Sequence, residues 1–178
     1  LTKINLLMKD VNVDQNFSPA HAACLHKAEE TGKLAGAMVM PDGTIITGKT
    51  SELLGAPASL LLNALKYVVG IEKKTFIVSD EVLRPICTLK ESNFKLSRTS
   101  LCADEMLIAL SISSITNPLA GKAVEATQLL RGCDAYFSSI IPSDDESIYH
   151  KLGIKSAGIT GVSHRAQPHY WTFLNLSF

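Results

Sequence analysis

Apolar residues recur at helical spacing in several stretches of the chain, and residues that begin or end helices bound each stretch. Ser18 and Pro19 open the first stretch, and Gly32 closes it. Proline loses no hydrogen bond at the first helical position, and glycine readily adopts the left-handed conformation that ends many helices. We predict helices over residues 19–31, 57–69, 118–131 and 144–152, and a short helix from residue 80 that Pro85 kinks or ends.

Short apolar and β-branched runs alternate with these helices. The turn Pro41-Asp42-Gly43 separates residues 35–40 from residues 44–47 and predicts a hairpin. Two further strands are predicted over residues 75–78 and 134–141. The alternation predicts an α/β fold, a layered mixed β-sheet with helices packed on it, in a single domain that is incomplete in this chain.

One further predicted helix is apolar on nearly every side. Residues 106–112 have a single polar position, Ser111. Because a helix without a polar face must be covered on more than one side, we expect this helix to be buried over most of its circumference.

Composition and charge favour an ordinary cytoplasmic globular protein. The 178 residues are 46% hydrophobic, with 17 basic and 17 acidic side chains. The absence of a basic cluster argues against nucleic-acid binding. The longest apolar run, residues 60–69, is broken by Asn63 and Lys66 and is too short to cross a membrane, and residues 1–9 do not resemble a signal peptide. The four cysteines lack the spacing of a zinc site, so we expect no metal.

The segment after the predicted hairpin carries groups that bind phosphate. Lys49, Thr50 and Ser51 follow Gly48, and the stretch from Gly43 to Thr50 matches the bare spelling of a P-loop. A P-loop requires a helix that begins at the lysine, whereas residues 44–47 are predicted to be a strand. The context therefore argues against a P-loop and leaves an anion-contacting loop as the interpretation to test.

Two acidic groups are candidates for acid–base or metal chemistry. Asp104 and Glu105 form one, and Asp144, Asp145 and Glu146 form the other. Both fall in the first turn of a predicted helix, where the helix dipole favours acids without any catalytic role. No Ser-His-acid triad follows from the spacing, and no cofactor can be named.

Several sequence blocks together resemble the C-terminal half of a bacterial family, domain of unknown function 1846, over residues 1–154. The resemblance names no activity, and it implies that the N-terminal part of a longer family protein is a partner of this region. The blocks are Ala28-Glu29-Glu30-Thr31-Gly32, Pro41-Asp42-Gly43, Gly48-Lys49-Thr50-Ser51, Leu61-Leu62-Asn63-Ala64-Leu65-Lys66, Asp104-Glu105, Thr116-Asn117-Pro118, Leu130-Arg131-Gly132-Cys133 and Lys151-Leu152-Gly153-Ile154.

The chain departs from the family pattern at two positions where the family tends to show histidine. These positions hold Cys102 and Tyr136 here, so any role of the histidines is lost in this chain. Residues 155–178 resemble a translated Alu-type repeat rather than the family. We therefore predict a domain boundary after Ile154, with a poorly ordered tail beyond it.

Two hypotheses of different classes follow. In the first, the chain has no activity of its own and is a packing or oligomerisation module of a longer protein, with the N-terminal part or a second copy as its partner. In the second, it is the C-terminal domain of an enzyme that acts on a nucleotide or a phosphorylated small molecule. The second hypothesis requires its candidate ligand-binding residues to meet in one cleft, and these are Lys49, Thr50, Ser51, Asp104, Glu105 and Asn117.

Overall fold

The computed structural model describes residues 18–158, which form six α-helices, one 3₁₀-helix and a four-stranded sheet. In chain order, the elements are α1 (Pro19–Thr31), β1 (Ala35–Val39), β2 (Ile45–Lys49), α2 (Ala56–Val68), α3 (Asp80–Ser92), α4 (Ala103–Ser113), α5 (Pro118–Glu125), the 3₁₀-helix (Ala126–Leu130), β3 (Asp134–Phe137), α6 (Ser143–Lys151) and β4 (Lys155–Gly158).

The sheet is open and mixed, in the order β2-β1-β3-β4. Strand β1 runs antiparallel to both β2 and β3, whereas β4 runs parallel to β3. The parallel pair is connected through α6, as a parallel crossover requires. The structure confirms the predicted α/β class with a mixed sheet.

Helices cover both faces of the sheet. Helix α1 packs on one face, where Cys24 and Ala37 are buried together. Helix α2 packs on the other face, and α4 packs on α2. The larger core lies on this second side and includes Met38, Leu60 and Leu110. The fully buried Tyr149 of α6 donates a 2.8 Å hydrogen bond to the carbonyl oxygen of Pro57, which ties α6 to the start of α2.

The elements with strong local signals are confirmed. Helix α1 begins at Pro19 and ends before Gly32, whose φ of 61° lies in the left-handed region. The hairpin β1–β2 turns at Gly43, whose φ is 83°. Helix α5 begins after Asn117, whose side chain accepts a hydrogen bond from the backbone N–H of Leu119.

Four predicted elements differ from the structure. Residues 75–78 form no strand, because no strand within residues 18–158 lies beside them to pair with. Their apolar side chains Ile77 and Val78 are buried all the same. Helix α3 continues through Pro85 to Ser92, since packing of its apolar face, Leu83 included, outweighs the lost backbone hydrogen bond. Strand β3 ends at Phe137, and the helix after Asn117 changes to 3₁₀ geometry at Ala126.

Helix α4 is buried on one side only. Met106, Ala109 and Leu110 are buried, whereas Ile108 and Ile112 are 58% and 51% exposed. The expectation that this helix is covered over most of its circumference is therefore wrong for the domain as it stands. No helix within residues 18–158 is long and apolar enough to cross a membrane.

The domain boundary predicted after Ile154 falls immediately before β4. Residues 155–158 pair with all four residues of β3, and the backbone N–H of Lys155 donates to the carbonyl oxygen of Cys133 at 2.9 Å. These four residues belong to the sheet, although their sequence, Lys-Ser-Ala-Gly, carries no strand signal. The remaining residues of the predicted tail, and the resemblance to an Alu-type repeat there, lie outside the described residues.

Two truncated chains test the contribution of β4. We expect a chain that ends at Ile154 to be less stable than one that ends at Gly158 by about 2 kcal/mol, because each backbone hydrogen bond contributes about 1 kcal/mol net. Urea unfolding followed by circular dichroism measures the difference. Both variants lack residues 159–178, so these residues cancel in the comparison. Equal midpoints would show that β4 adds nothing to the sheet.

Candidate functional site

The predicted anion-contacting loop is folded by its own backbone contacts. Lys49 is the last residue of β2 and is exposed. The backbone N–H of Thr50 donates to the carbonyl oxygen of Leu34 at 2.8 Å, and the Ser51 hydroxyl accepts from the backbone N–H of Leu54 at 3.0 Å. Helix α2 begins only at Ala56, so no helix N-terminus points at Lys49. The lysine thus ends a strand, Ile45–Lys49, and does not begin a helix as it would in a P-loop.

The predicted carboxylates cap the N-terminus of α4. Glu105 Oε2 accepts from the backbone N–H of Cys102 at 2.9 Å and lies 2.6 Å from the ammonium of Lys90. Asp104 Oδ1 accepts from the backbone N–H of Glu105 at 2.8 Å and from the Cys102 thiol at 2.7 Å. These are the contacts that hold a helix start in place.

The pKa values at this helix start agree with a structural role. Burial alone would raise the pKa of Glu105, but hydrogen bonds from Cys102 and Lys90 hold it below its ordinary value. Burial also opposes ionisation of Asp104, and hydrogen bonds from Cys102 and Glu105 outweigh it and lower its pKa. Burial, reinforced by the two carboxylates, raises the pKa of the Cys102 thiol to about 12. Cys102 is therefore a protonated thiol at neutral pH and a poor nucleophile.

Asn117 lies at the opposite end of α4. Its side-chain oxygen caps α5, and its amide nitrogen donates to the carbonyl oxygen of Ile77 at 3.3 Å. Helix α4 has 11 residues, which span about 16 Å at 1.5 Å per residue, so Asp104 and Asn117 are a helix length apart. Lys49 is on the sheet. The candidate ligand-binding residues thus occupy three separate places.

The two positions where the chain departs from the family histidines also lie apart. Tyr136 is on the α1 side of the sheet, with its ring at 6.2 Å from the ring of His21 in an edge-on arrangement. Cys102 is at the start of α4, on the side of the larger core. Because the sheet lies between them, histidines at these positions would not form one site within this domain.

The structure contains a cavity that the sequence patterns did not indicate. It has a volume of about 380 Å³ and lies between the loop at residues 51–54, the end of α2, residues 73–78 and the start of α3. Ser51 is the one candidate residue in its lining, and Lys66, Lys73, Lys74 and Arg84 supply cationic groups. The only available sequence signal was Lys66, a lysine beside the apolar face of a predicted helix. No cluster of three or more metal-ligating side chains occurs among residues 18–158.

An apolar stripe along α4 and the turn after it is the other prominent surface feature. Ile108 and Ile112 lie on α4 and Ile115 lies two residues beyond its end, and all three are more than half exposed. We call these three residues the α4 outer face. Beside it, a groove of about 340 Å³ is lined by Ile77 and Val82 as well as by Ile112 and Ile115. Sequence periodicity indicated an apolar helix but not which side would be left uncovered.

Comparison with known proteins places the chain in a family. The family model described as domain of unknown function DUF1846, C-terminal, matches residues 16–159. A UPF0371 protein of Corynebacterium aurimucosum is 40% identical over 149 residues, which cover 84% of this chain and 30% of that protein. A UPF0371 protein of Streptococcus thermophilus is 40% identical over 152 residues, which cover 85% of this chain and 31% of that protein.

The match to a third relative extends further along the chain. A UPF0371 protein of Corynebacterium urealyticum is 36% identical over 170 residues, which cover 96% of this chain and 33% of that protein. Such coverage requires most of residues 155–178 to be included, so this match gives no support to a separate origin for them. The chain spans about a third of the length of these relatives, and it belongs to the family of the DUF1846 C-terminal domain.

Proposed function

We propose that this domain is a packing module of a longer protein, and that the α4 outer face docks against the N-terminal part of that protein. The observation that supports the proposal is the stripe of Ile108, Ile112 and Ile115, of which Ile115 is 82% exposed. Contiguous apolar patches of this kind mark interaction surfaces in soluble proteins.

The length of the relatives indicates what covers this face. The chain corresponds to 30% of the Corynebacterium aurimucosum protein, so the larger part of the family protein is available as a docking partner. Burial of an isoleucine side chain stabilises a contact by about 1.5–3 kcal/mol. Docking of the N-terminal part would also cover the exposed side of α4, as expected for a helix whose sequence is apolar on nearly every side.

The enzyme hypothesis draws less support from the geometry. Lys49 ends β2, Asp104 lies at the start of α4 and Asn117 lies beyond its other end, and Asp104 and Glu105 are engaged in capping α4. The packing proposal, in contrast, explains the exposed isoleucines of the α4 outer face, which have no role in helix capping or in the core of this domain.

Introduction of negative charge on the α4 outer face tests the proposal. We expect Ile108→Glu with Ile112→Glu to lower the stability of the longer protein by about 2 kcal/mol more than that of the isolated chain, because docking would bury the exposed half of each isoleucine and a carboxylate cannot replace that burial. In the isolated chain more than half of each side chain already faces water, so there the same pair should change stability by no more than about 1 kcal/mol. Urea unfolding measures both values, and limited proteolysis reports on release of the domain.

A matched variant at an exposed leucine outside the α4 outer face controls for the introduced charge. Leu34 is 54% exposed and precedes β1, next to α1. We expect Leu34→Glu to leave the longer protein unchanged. Equal stability of the longer protein with and without the α4 substitutions would contradict docking there. A dimer of the isolated chain that the α4 substitutions dissociate would instead identify a second copy as the partner.

A further inference from the structure

Three lysines line the cavity between α2 and α3, and no carboxylate among residues 18–158 forms an ion pair with any of them. They are Lys66, Lys73 and Lys74. The cavity lining contains two acids, Glu52 and Asp80, but Arg84 binds both of them, at 2.9 Å and 3.1 Å. The lining therefore has an excess of positive charge that is concentrated on the lysines.

Lys66 is the buried member of this group. It lies in the last turn of α2 and is only 6% exposed. Its ammonium donates to the carbonyl oxygen of Lys73. An ammonium has three donors, and the described residues provide an acceptor for one of them. Because Lys66 lines the cavity, its remaining donors are accessible to an anion that enters there, and such an anion would offset the cost of burying this charge.

The surroundings of Lys66 oppose its charge. Burial lowers the pKa of Lys66, and the neighbouring positive charge of Lys73 lowers it further. An anion between the two ammonium groups would remove both effects. A role confined to holding the turn at residues 70–75 would explain the hydrogen bond to Lys73 but not the clustering of positive charge.

The remaining lining is largely apolar. Leu53, Leu62, Ile77 and Leu83 contribute to it, and the volume of about 380 Å³ is within the range of small-molecule sites. The amide of Asn63 is already committed to the carbonyl oxygen of Thr47 at 2.9 Å. The polar groups left to contact a ligand are thus mainly cationic.

We propose that this cavity binds a small organic anion, with its phosphate or carboxylate head between Lys66 and Lys73 and its apolar body against Leu62 and Leu83. The site differs from the anion-contacting loop expected at Lys49, which lies outside the cavity lining. It also differs from the α4 outer face, so the binding proposal and the packing proposal stand or fall separately.

Calorimetric titration of the 178-residue chain with three probes of similar size tests the proposal. Phenyl phosphate and benzoate present the two head groups on the same apolar ring, and benzyl alcohol presents the ring without charge. We expect binding of at least one anion, no detectable binding of the alcohol, and affinity that falls as salt is added. Which anion binds more tightly identifies the head group.

Lysine variants locate the binding. We expect Lys66→Met to lower the affinity for the anion at least tenfold, and Lys73→Met with Lys74→Met to lower it severalfold. Lys49→Met removes an exposed lysine outside the cavity and should leave the affinity unchanged. Because Lys73 and Lys74 are exposed, their variant keeps the test decisive even if Lys66→Met does not fold. The proposal is overturned if neither anion binds, if the alcohol binds equally well, or if the cavity lysines can be replaced without loss of affinity.

Discussion

Replacement of Gly48 by alanine is expected to lower the free energy of unfolding by about 3 kcal/mol or more, at the upper end of overpacking effects. A Cβ atom at this position would overlap the backbone nitrogen of Leu60 and lie 2.5 Å from its Cα. These are backbone atoms of α2, so no side chain can rotate to make room. The helix would have to move away from β2, with loss of the packing between them. Urea unfolding followed by circular dichroism measures the effect.

A second glycine provides the matched control. Gly121 lies inside α5, and the nearest atom to an added Cβ would be Cβ of Ser114, at 3.8 Å. Because alanine is the better helix former and has room here, we expect Gly121→Ala to raise the free energy of unfolding by about 0.5–1 kcal/mol. A Gly48→Ala variant as stable as the parent would show that α2 and β2 do not approach each other as closely as the structure indicates.

Gly48 has a packing role at a position where the sequence pattern suggested an anion-binding loop. Glycine, lysine and two hydroxyl residues in a row are typical of anion-binding loops. In the structure the glycine lets a helix backbone contact a strand. That contact depends on Leu60, 12 residues further on, and local sequence carries no information about it.

The sequence predicts well the elements whose signals are local. Pro19 at the start of α1, the turn at Gly43 and the cap at Asn117 each lie where they were predicted, although the Ser18 side chain makes no capping hydrogen bond. Strands need a partner, and this explains two differences. Residues 75–78 have strand-forming side chains but no neighbour, whereas Lys155–Gly158 has weak strand propensity but lies beside β3.

The candidate sites were harder to predict for a related reason. The helix dipole favours a lysine in the last turn whether it is exposed or buried, so the position of Lys66 beside an apolar face did not establish that it is buried. Lys73 and Lys74 line the same cavity as Lys66 because the chain turns back after α2. The α4 outer face was expected to be buried, and the domain itself supplies a cover for one side only.

Replacement of Asp145 by alanine is the second large effect that we expect, a loss of about 3 kcal/mol, as for removal of one partner of a buried ion pair. Asp145 is fully buried in the first turn of α6. Its Oδ1 accepts from the backbone N–H of Ala103 at 2.7 Å, and its Oδ2 lies 2.9 Å from Nη2 of Arg98. Alanine would leave the first N–H of α4 without its acceptor and the guanidinium without its counter-charge. Urea unfolding of the chain measures the loss.

A variant of the neighbouring Asp144 distinguishes the contacts of Asp145 from a general effect of the helix dipole. Asp144 is in the same first turn but is exposed, and we expect Asp144→Ala to change stability by no more than about 0.5 kcal/mol. Asp145→Asn keeps an acceptor for Ala103 but loses the charge that faces Arg98, so its effect should lie between those of the two alanine variants. Equal effects of Asp144→Ala and Asp145→Ala would mean that both acids act only through the dipole. A large effect at Asp145 alone would mean that its carboxylate joins α6 to the start of α4, because Ala103 and Arg98 are its partners there.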